Sequence, residues 1–147
     1  MEKTSDYKWF WDGLDHYLIK NGMKQSSQRK VIVSYFLEVG THVHAEDIHA
    51  AMRADGHVVG LATIYRALSL LKDAGLVQQY LFGDGKRVFE IFDPEEHHDH
   101  MICQDCGGVS EFHNEQIEKI QVDVANERGF KVVSHRHELY GVCQDCQ

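Results

Sequence analysis

The 147-residue chain has one proline, no apolar run near the roughly 18 residues that span a bilayer, and no surplus of basic charge. Each absence narrows the possibilities. Without a long apolar run, no membrane-spanning helix is expected. The opening residues, MEKTSDYKWFWDGLDHYLIK, are charged and aromatic, with no apolar core or small-residue cleavage site, so they do not read as a signal peptide. A cytoplasmic protein is expected. In that reducing setting, four cysteines in two CxxC pairs read as metal ligands rather than disulfides. No repeat of solenoid length occurs, although CQDC stands at both 103–106 and 143–146.

The net charge of −8 argues at first against a nucleic-acid partner, but it is unevenly spread. Residues 1–93 hold 11 Lys and Arg against 12 Asp and Glu; residues 94–147 hold 4 against 11. Bound cations would partly neutralise the acidic half. The near-neutral half can still present a local basic face, so DNA binding stays open.

The sole proline, Pro94, sits in FDPEE and marks residues 93–96 as the expected hinge between domains 1–92 and 97–147. Upstream the periodicity is helical. SSQRKVIVSYFLEVG offers serines for an N-cap, then Val31, Ile32, Tyr35, Phe36 and Val39 at helical spacing before Gly40. HAEDIHAAMRADG repeats the pattern with Ile48 and Met52, and GLATIYRALSLLKDAGLV does so with Ile64, Leu68 and Leu71. VQQYLFGDGKRVFEIF then reads as two β-prone runs around a Gly-Asp-Gly turn. Three helices and a hairpin predict a winged helix-turn-helix with its third helix as the reader of the major groove. The N-terminal Trp9, Phe10 and Trp11 read as part of a packing helix. Downstream, HDHMIC and GGVSEFH read as strands, NEQIEKIQVDVANERG as a helix, and FKVVSHRHELYGVC as a further strand segment. The fold class is α+β, with a small C-terminal α/β unit that needs zinc, a partner subunit, or both.

Residues 97–106, HHDHMICQDC, hold two kinds of metal-binding side chain. Cys103, Cys106, Cys143 and Cys146 form CxxC…CxxC with 36 residues between the pairs. Such knuckles close a tetrahedral four-thiolate zinc site with no open position; the alternative is a redox dithiol or two unrelated pairs. A saturated thiolate site leaves the histidines unexplained. On a strand, His98 and His100 share one face and His97 and Asp99 the other, so one strand can feed two sites. His42, Glu90, Glu111, Glu118 and His135 are further candidates. Imidazole with carboxylate suits Fe(II), Mn(II) or Zn(II); a solvated His-rich strand is the alternative. His16, His44, His49, His57, His113 and His137 read as surface or internally satisfied histidines.

GLATIYRAL, VFE, HHDHMICQDC, VSEFHNEQIE and YGVCQDC, in this order, resemble the ferric uptake regulator (Fur) family of metal-dependent bacterial repressors, over about Gly22 to Cys146. The resemblance implies a winged-helix DNA-binding domain followed by a dimerisation domain, in a homodimer or a tetramer. It implies three metal sites: structural zinc at Cys103, Cys106, Cys143 and Cys146; a regulatory site at His42, Glu90, His98, His100 and Glu111; and an additional site at His97, Asp99, Glu118 and His135. It further implies repression of metal-uptake genes at an A·T-rich inverted repeat of double-stranded DNA. Ala62, Thr63, Tyr65 and Arg66 are the residues expected against DNA, with Lys24 in a narrow minor groove and Arg29 on a phosphate; Tyr65 in the core and Arg66 in solvent is the competing expectation. Glutamate at 90 and 111, where peroxide-sensing relatives commonly carry aspartate, favours Fe(II) as the regulatory ion, with Mn(II) or Zn(II) able to substitute in vitro. A peroxide-sensing branch, a manganese-, zinc- or nickel-sensing branch, a metalloenzyme and a zinc-stabilised dimer without DNA are the other readings. No nucleophile motif supports the enzyme.

Overall fold

The computed structural model describes residues 7–81, 85–93 and 97–147. These form two compact units, one ending at Asp93 and the other covering the residues from 97 onward. Pro94, Glu95 and Glu96 of the expected hinge, and Gly83 and Asp84 of the hairpin turn, lie outside the described residues.

The first unit contains four helices and a hairpin: α1 (Lys8–Lys20), α2 (Ser27–Val39), α3 (Ala45–Ala54), α4 (Leu61–Asp73), β1 (Val77–Leu81) and β2 (Arg87–Ile91). Ser26 caps α2, its Oγ accepting the Arg29 amide at 3.1 Å, which satisfies one of the helix's open donors. Gly75, with φ of 74°, ends α4 in the left-handed region and turns the chain into β1. β1 and β2 pair antiparallel with Val77 opposite Ile91, and Val43 exchanges both backbone hydrogen bonds with Phe89 at 2.8 and 2.9 Å. That bridge ties the segment before α3 to the hairpin.

The core of this unit follows from helical spacing, with one shift of face. α2 buries Ile32, Val33, Phe36 and Leu37, whereas Val39 is exposed. The buried stripe is therefore rotated from the one expected, because Val33 and Leu37, four residues apart, lie beside Ile32 and Phe36. α3 buries Ile48 and Met52, and α4 buries Ile64, Ala67, Leu68 and Leu71. α1 adds Phe10, Leu14 and Leu18, leaving Trp9 43% exposed. α1 approaches closely at Gly13, where a Cβ would stand 2.9 Å from Leu76 Cδ2.

The second unit comprises β3 (Asp99–Cys103), β4 (Val109–Phe112), α5 (Glu115–Glu127) and β5 (Glu138–Gly141), then a 3-10 turn at Gln144–Cys146. Its sheet runs β4-β3-β5, with β3 antiparallel to β4 and parallel to β5. α5 carries the chain from one edge to the other, the long connection that a parallel pair requires. The strand expected over residues 130–143 is shorter: β5 covers only Glu138–Gly141. The apolar alternation upstream points outward instead, with Phe130 70% and Val133 92% exposed. No residue of α5 is buried within the single chain.

Candidate metal centres

The four cysteines come together through local backbone geometry. β3 ends at Cys103, and a turn returns the chain to Cys106, with the Gly107 amide donating to the Cys103 carbonyl at 2.9 Å. The parallel pairing of β5 with β3 delivers Cys143 alongside, and the 3-10 turn brings in Cys146. All four sulfurs lie within 4.8 Å of one another, and Cys106 and Cys143 are 3.8 Å apart. A tetrahedral ion with bonds of about 2.3 Å requires sulfurs about 3.8 Å apart, so the cluster fits zinc. All four are free of disulfides. The backbone amides of Cys106 and Cys143 hold the Cys103 thiol down to about 6, favouring a thiolate at neutral pH. The hydrogen bond with Cys143 and the other crowded thiols push Cys146 up to about 12, as expected of sulfurs that cannot all ionise without a cation.

A second cluster gathers at the start of the same strand. His97 Nε2 is 3.3 Å from Asp99 Oδ1 and 3.3 Å from Glu118 Oε1; His135 Nε2 is 3.9 Å and 3.3 Å from the same two carboxylates. β3 supplies Asp99, α5 supplies Glu118, and the segment before β5 supplies His135. Asp99 is 1% exposed, and both its oxygens, Glu118 Oε1 and His135 Nε2 are buried without a hydrogen bond. Burying an ionised carboxylate this way is costly unless a cation is near. One donor atom from each of the four residues falls within 4.8 Å of the others, so the set fits a divalent ion with oxygen and nitrogen ligands.

The five remaining sequence candidates fall into a pair in one unit and a trio in the other. In the first unit, His42 Nε2 is 3.8 Å from Glu90 Oε1, placed there by the bridge between Val43 and Phe89. Glu90 is buried. In the second, His98 Nε2 is 3.6 Å from Glu111 Oε1, and the His98 and His100 rings are 5.1 Å apart. His100 pairs with Glu111 across β3 and β4 and is 2% exposed.

Of the DNA candidates, Lys24 and Ala62 are exposed, and Arg29 Nη1 donates to the Lys24 carbonyl at 2.9 Å, which orders the residues before α2. Arg66, also exposed, donates to Thr63 Oγ1 at 3.0 Å. Tyr65 is half-buried. Its hydroxyl donates to Glu46 Oε1 at 3.1 Å, its ring meets Phe89 edge-on, and the Arg87 guanidinium lies over it at 5.8 Å. Desolvation, with the Glu46 bond second, raises the Tyr65 phenol above its ordinary value. Glu46 and Arg87 were not singled out from the sequence, since nothing in their local pattern signals a tertiary contact with Tyr65.

Residues 20–140 match the ferric uptake regulator family. The chain belongs to this family. It is 41% identical over 128 residues to the ferric uptake regulation protein of Neisseria meningitidis serogroup A, covering 86% of this chain and 88% of that one. The fold is similar to the ferric uptake regulator of Helicobacter pylori, a protein with three functional metal-binding sites, with a TM-score of 0.82 at 32% identity over 92% of this chain and 90% of that one. It is also similar to the Pseudomonas aeruginosa regulator solved with manganese, with a TM-score of 0.73 at 39% identity over 88% and 97% of the two chains. The protein is therefore a metal-dependent, DNA-binding transcriptional regulator with a winged-helix domain and a dimerisation domain. It is not an enzyme, which removes the metalloenzyme reading. Among the described residues, no helix is long and apolar enough to cross a membrane.

Proposed function

We propose that this regulator is an Fe(II)-dependent repressor that binds an A·T-rich inverted repeat as a homodimer. One observation carries the reading: the four cysteines gather with one another, leaving the His and Glu candidates of both units as thiol-free oxygen and nitrogen donors. Such donors suit Fe(II) or Mn(II), while the sulfur cluster suits zinc. In this reading residues 1–92 bind DNA, 93–96 are the hinge, and 97–147 form the dimerisation domain.

His42 and Glu90 belong to the first unit, and His98, His100 and Glu111 to the second. Ligation by all five side chains restricts the angle between the domains. In a dimer that angle sets the separation of the two α4 helices relative to successive major grooves. A bound ion would offset the negative charge of the Glu90 and Glu111 carboxylates. Ala62, Thr63, Tyr65 and Arg66 then face the major groove, with Lys24 in a narrow A·T-rich minor groove and Arg29 on a phosphate. Binding to uptake-gene operators when the metal is plentiful closes a feedback loop on the import of that ion.

The test is an anaerobic fluorescence-anisotropy titration of the zinc-loaded chain against an A·T-rich palindrome, with and without Fe(II). Tight binding only with Fe(II), released by a chelator, is the expected result. Equal binding in both states would remove the hinge ligands from the switch.

A further inference from the structure

We infer that His137 is a fifth functional side chain of the His97, Asp99, Glu118 and His135 metal site, a positioning residue that holds the second carboxylate oxygen of Asp99 so that the first faces the ion. This rests on the reading of those four residues as a metal site. From its sequence context alone His137 reads as a surface or internally satisfied histidine. The geometry places it differently.

His97 and His135 both approach Asp99 through Oδ1, at 3.3 and 3.9 Å. His137 approaches from the other side, with Nδ1 3.7 Å from Oδ2. Asp99 Oδ2 and His137 Nδ1 are both buried and neither makes a hydrogen bond. A carboxylate that ligates through one oxygen needs a donor on the other to fix its rotation, and an imidazole N–H supplies one. His137 is itself held in place. Its ring lies edge-on to Phe112 at 5.6 Å, and its carbonyl accepts the His100 amide at 3.1 Å. Phe112 stands directly opposite Asp99 in the β3–β4 pairing, so ring and carboxylate share one framework. The same residue thus touches the backbone of His100, on one face of the strand, and the side chain of Asp99, on the other. Its spacing in SHRHELYG, two residues after His135, keeps both imidazoles on the side of Asp99.

The test is an anaerobic Co(II) titration of the zinc-loaded full-length chain, followed by visible ligand-field absorption. Glu118→Gln identifies the part of the signal that belongs to this site. His137→Phe keeps an aromatic ring against Phe112 but removes the N–H; His137→Gln restores a donor. The Phe variant is expected to bind Co(II) at this site about 10- to 100-fold more weakly with an altered spectrum, and the Gln variant to recover most of the loss. Wild-type affinity in both variants would overturn the positioning role and leave the site reading intact. Equal losses in both would assign the effect to packing and also overturn it. A Glu118→Gln titration identical to wild type would remove the site itself, and this inference with it. Should the Phe variant lose its circular-dichroism signal, His137→Leu takes its place under the same outcomes.

Discussion

Among the described residues, the first unit gathers eighteen buried apolar side chains into one cluster, whereas in the second the buried apolar residues are Ile102 and Cys103, joined by the polar Asp99 and His100. The difference extends to the helices. α2 buries four residues and α4 four, but α5, of the same 13-residue length, buries none. The second unit also exposes Met101, Val124, Phe130, Val133, Leu139 and Tyr140, a density of apolar surface that a finished monomer rarely shows. One unit is closed by its own side chains. The other, in the proposed reading, depends on metal ligation inside and on a second subunit outside.

The largest effect that would sharpen this contrast comes from the thiolate cluster. Structural zinc contributes about 10–16 kcal/mol in small metal-dependent folds, comparable to or above the whole stability of a domain. Cys106→Ser is expected to abolish the second unit's melting transition while the first unit keeps its helical signal. Calorimetry would decide it, and retention of two transitions would argue that the cysteines are not structural. Next in size is Phe36→Ala, at about 3–5 kcal/mol, since Phe36 is fully buried in the first unit's core. Only the first unit's transition should fall; a matching fall in the second would mean the units are not separately stabilised.

Phe130→Glu probes the open face. Truncating or charging a central interface residue costs about 2 kcal/mol or more, roughly 30-fold in self-association. Sedimentation should show dissociation at concentrations where the wild-type chain remains dimeric. An unchanged association constant would place the dimer contact elsewhere.

The same contrast explains what could be read from the sequence. In the first unit each buried stripe answers to a partner inside the chain, so spacing located Ile64, Leu68 and Leu71 directly. The α2 stripe was misplaced toward Val39 because Val31, Ile32, Val33 and Leu37 make that helix apolar over much of its circumference. In the second unit the alternation in FKVVSHRHELYGVC suggested a strand. Within one chain most of it has nothing to pair with, and only the part beside β3 forms a ladder. The cysteine cluster was legible because CxxC spacing encodes its own geometry, and the two faces of HHDH because a strand alternates. The role inferred for His137 was not legible. Its approach to Asp99 depends on a parallel pairing across 37 intervening residues.

His98→Ala tests the reading that joins the two units. With coupling of about 1–3 kcal/mol, the Fe(II)-dependent gain in DNA affinity should shrink by roughly 5- to 150-fold. Both melting transitions should persist, because His98 lies outside the apolar core and the thiolate cluster. Loss of folding in this variant would count against a regulatory role.

The smallest effect separates the units most finely. Ser26 caps α2 through the Arg29 amide, and Asn114 caps α5 through the amides of Gln116 and Ile117 at 3.0 and 3.1 Å. Replacing either cap by alanine costs about 1 kcal/mol. The consequences should differ in kind. α2 is pinned by Ile32, Val33, Phe36 and Leu37, so Ser26→Ala lowers the first transition slightly and leaves the helix intact. α5 has no buried residue to hold it in a single chain, and a 13-residue helix is marginal on its own. Asn114→Ala should therefore fray α5 in dilute monomer and be largely rescued at concentrations where the dimer forms. Hydrogen exchange of the α5 amides across a dilution series reads this directly: protection independent of concentration would mean that α5 is held from within its own chain.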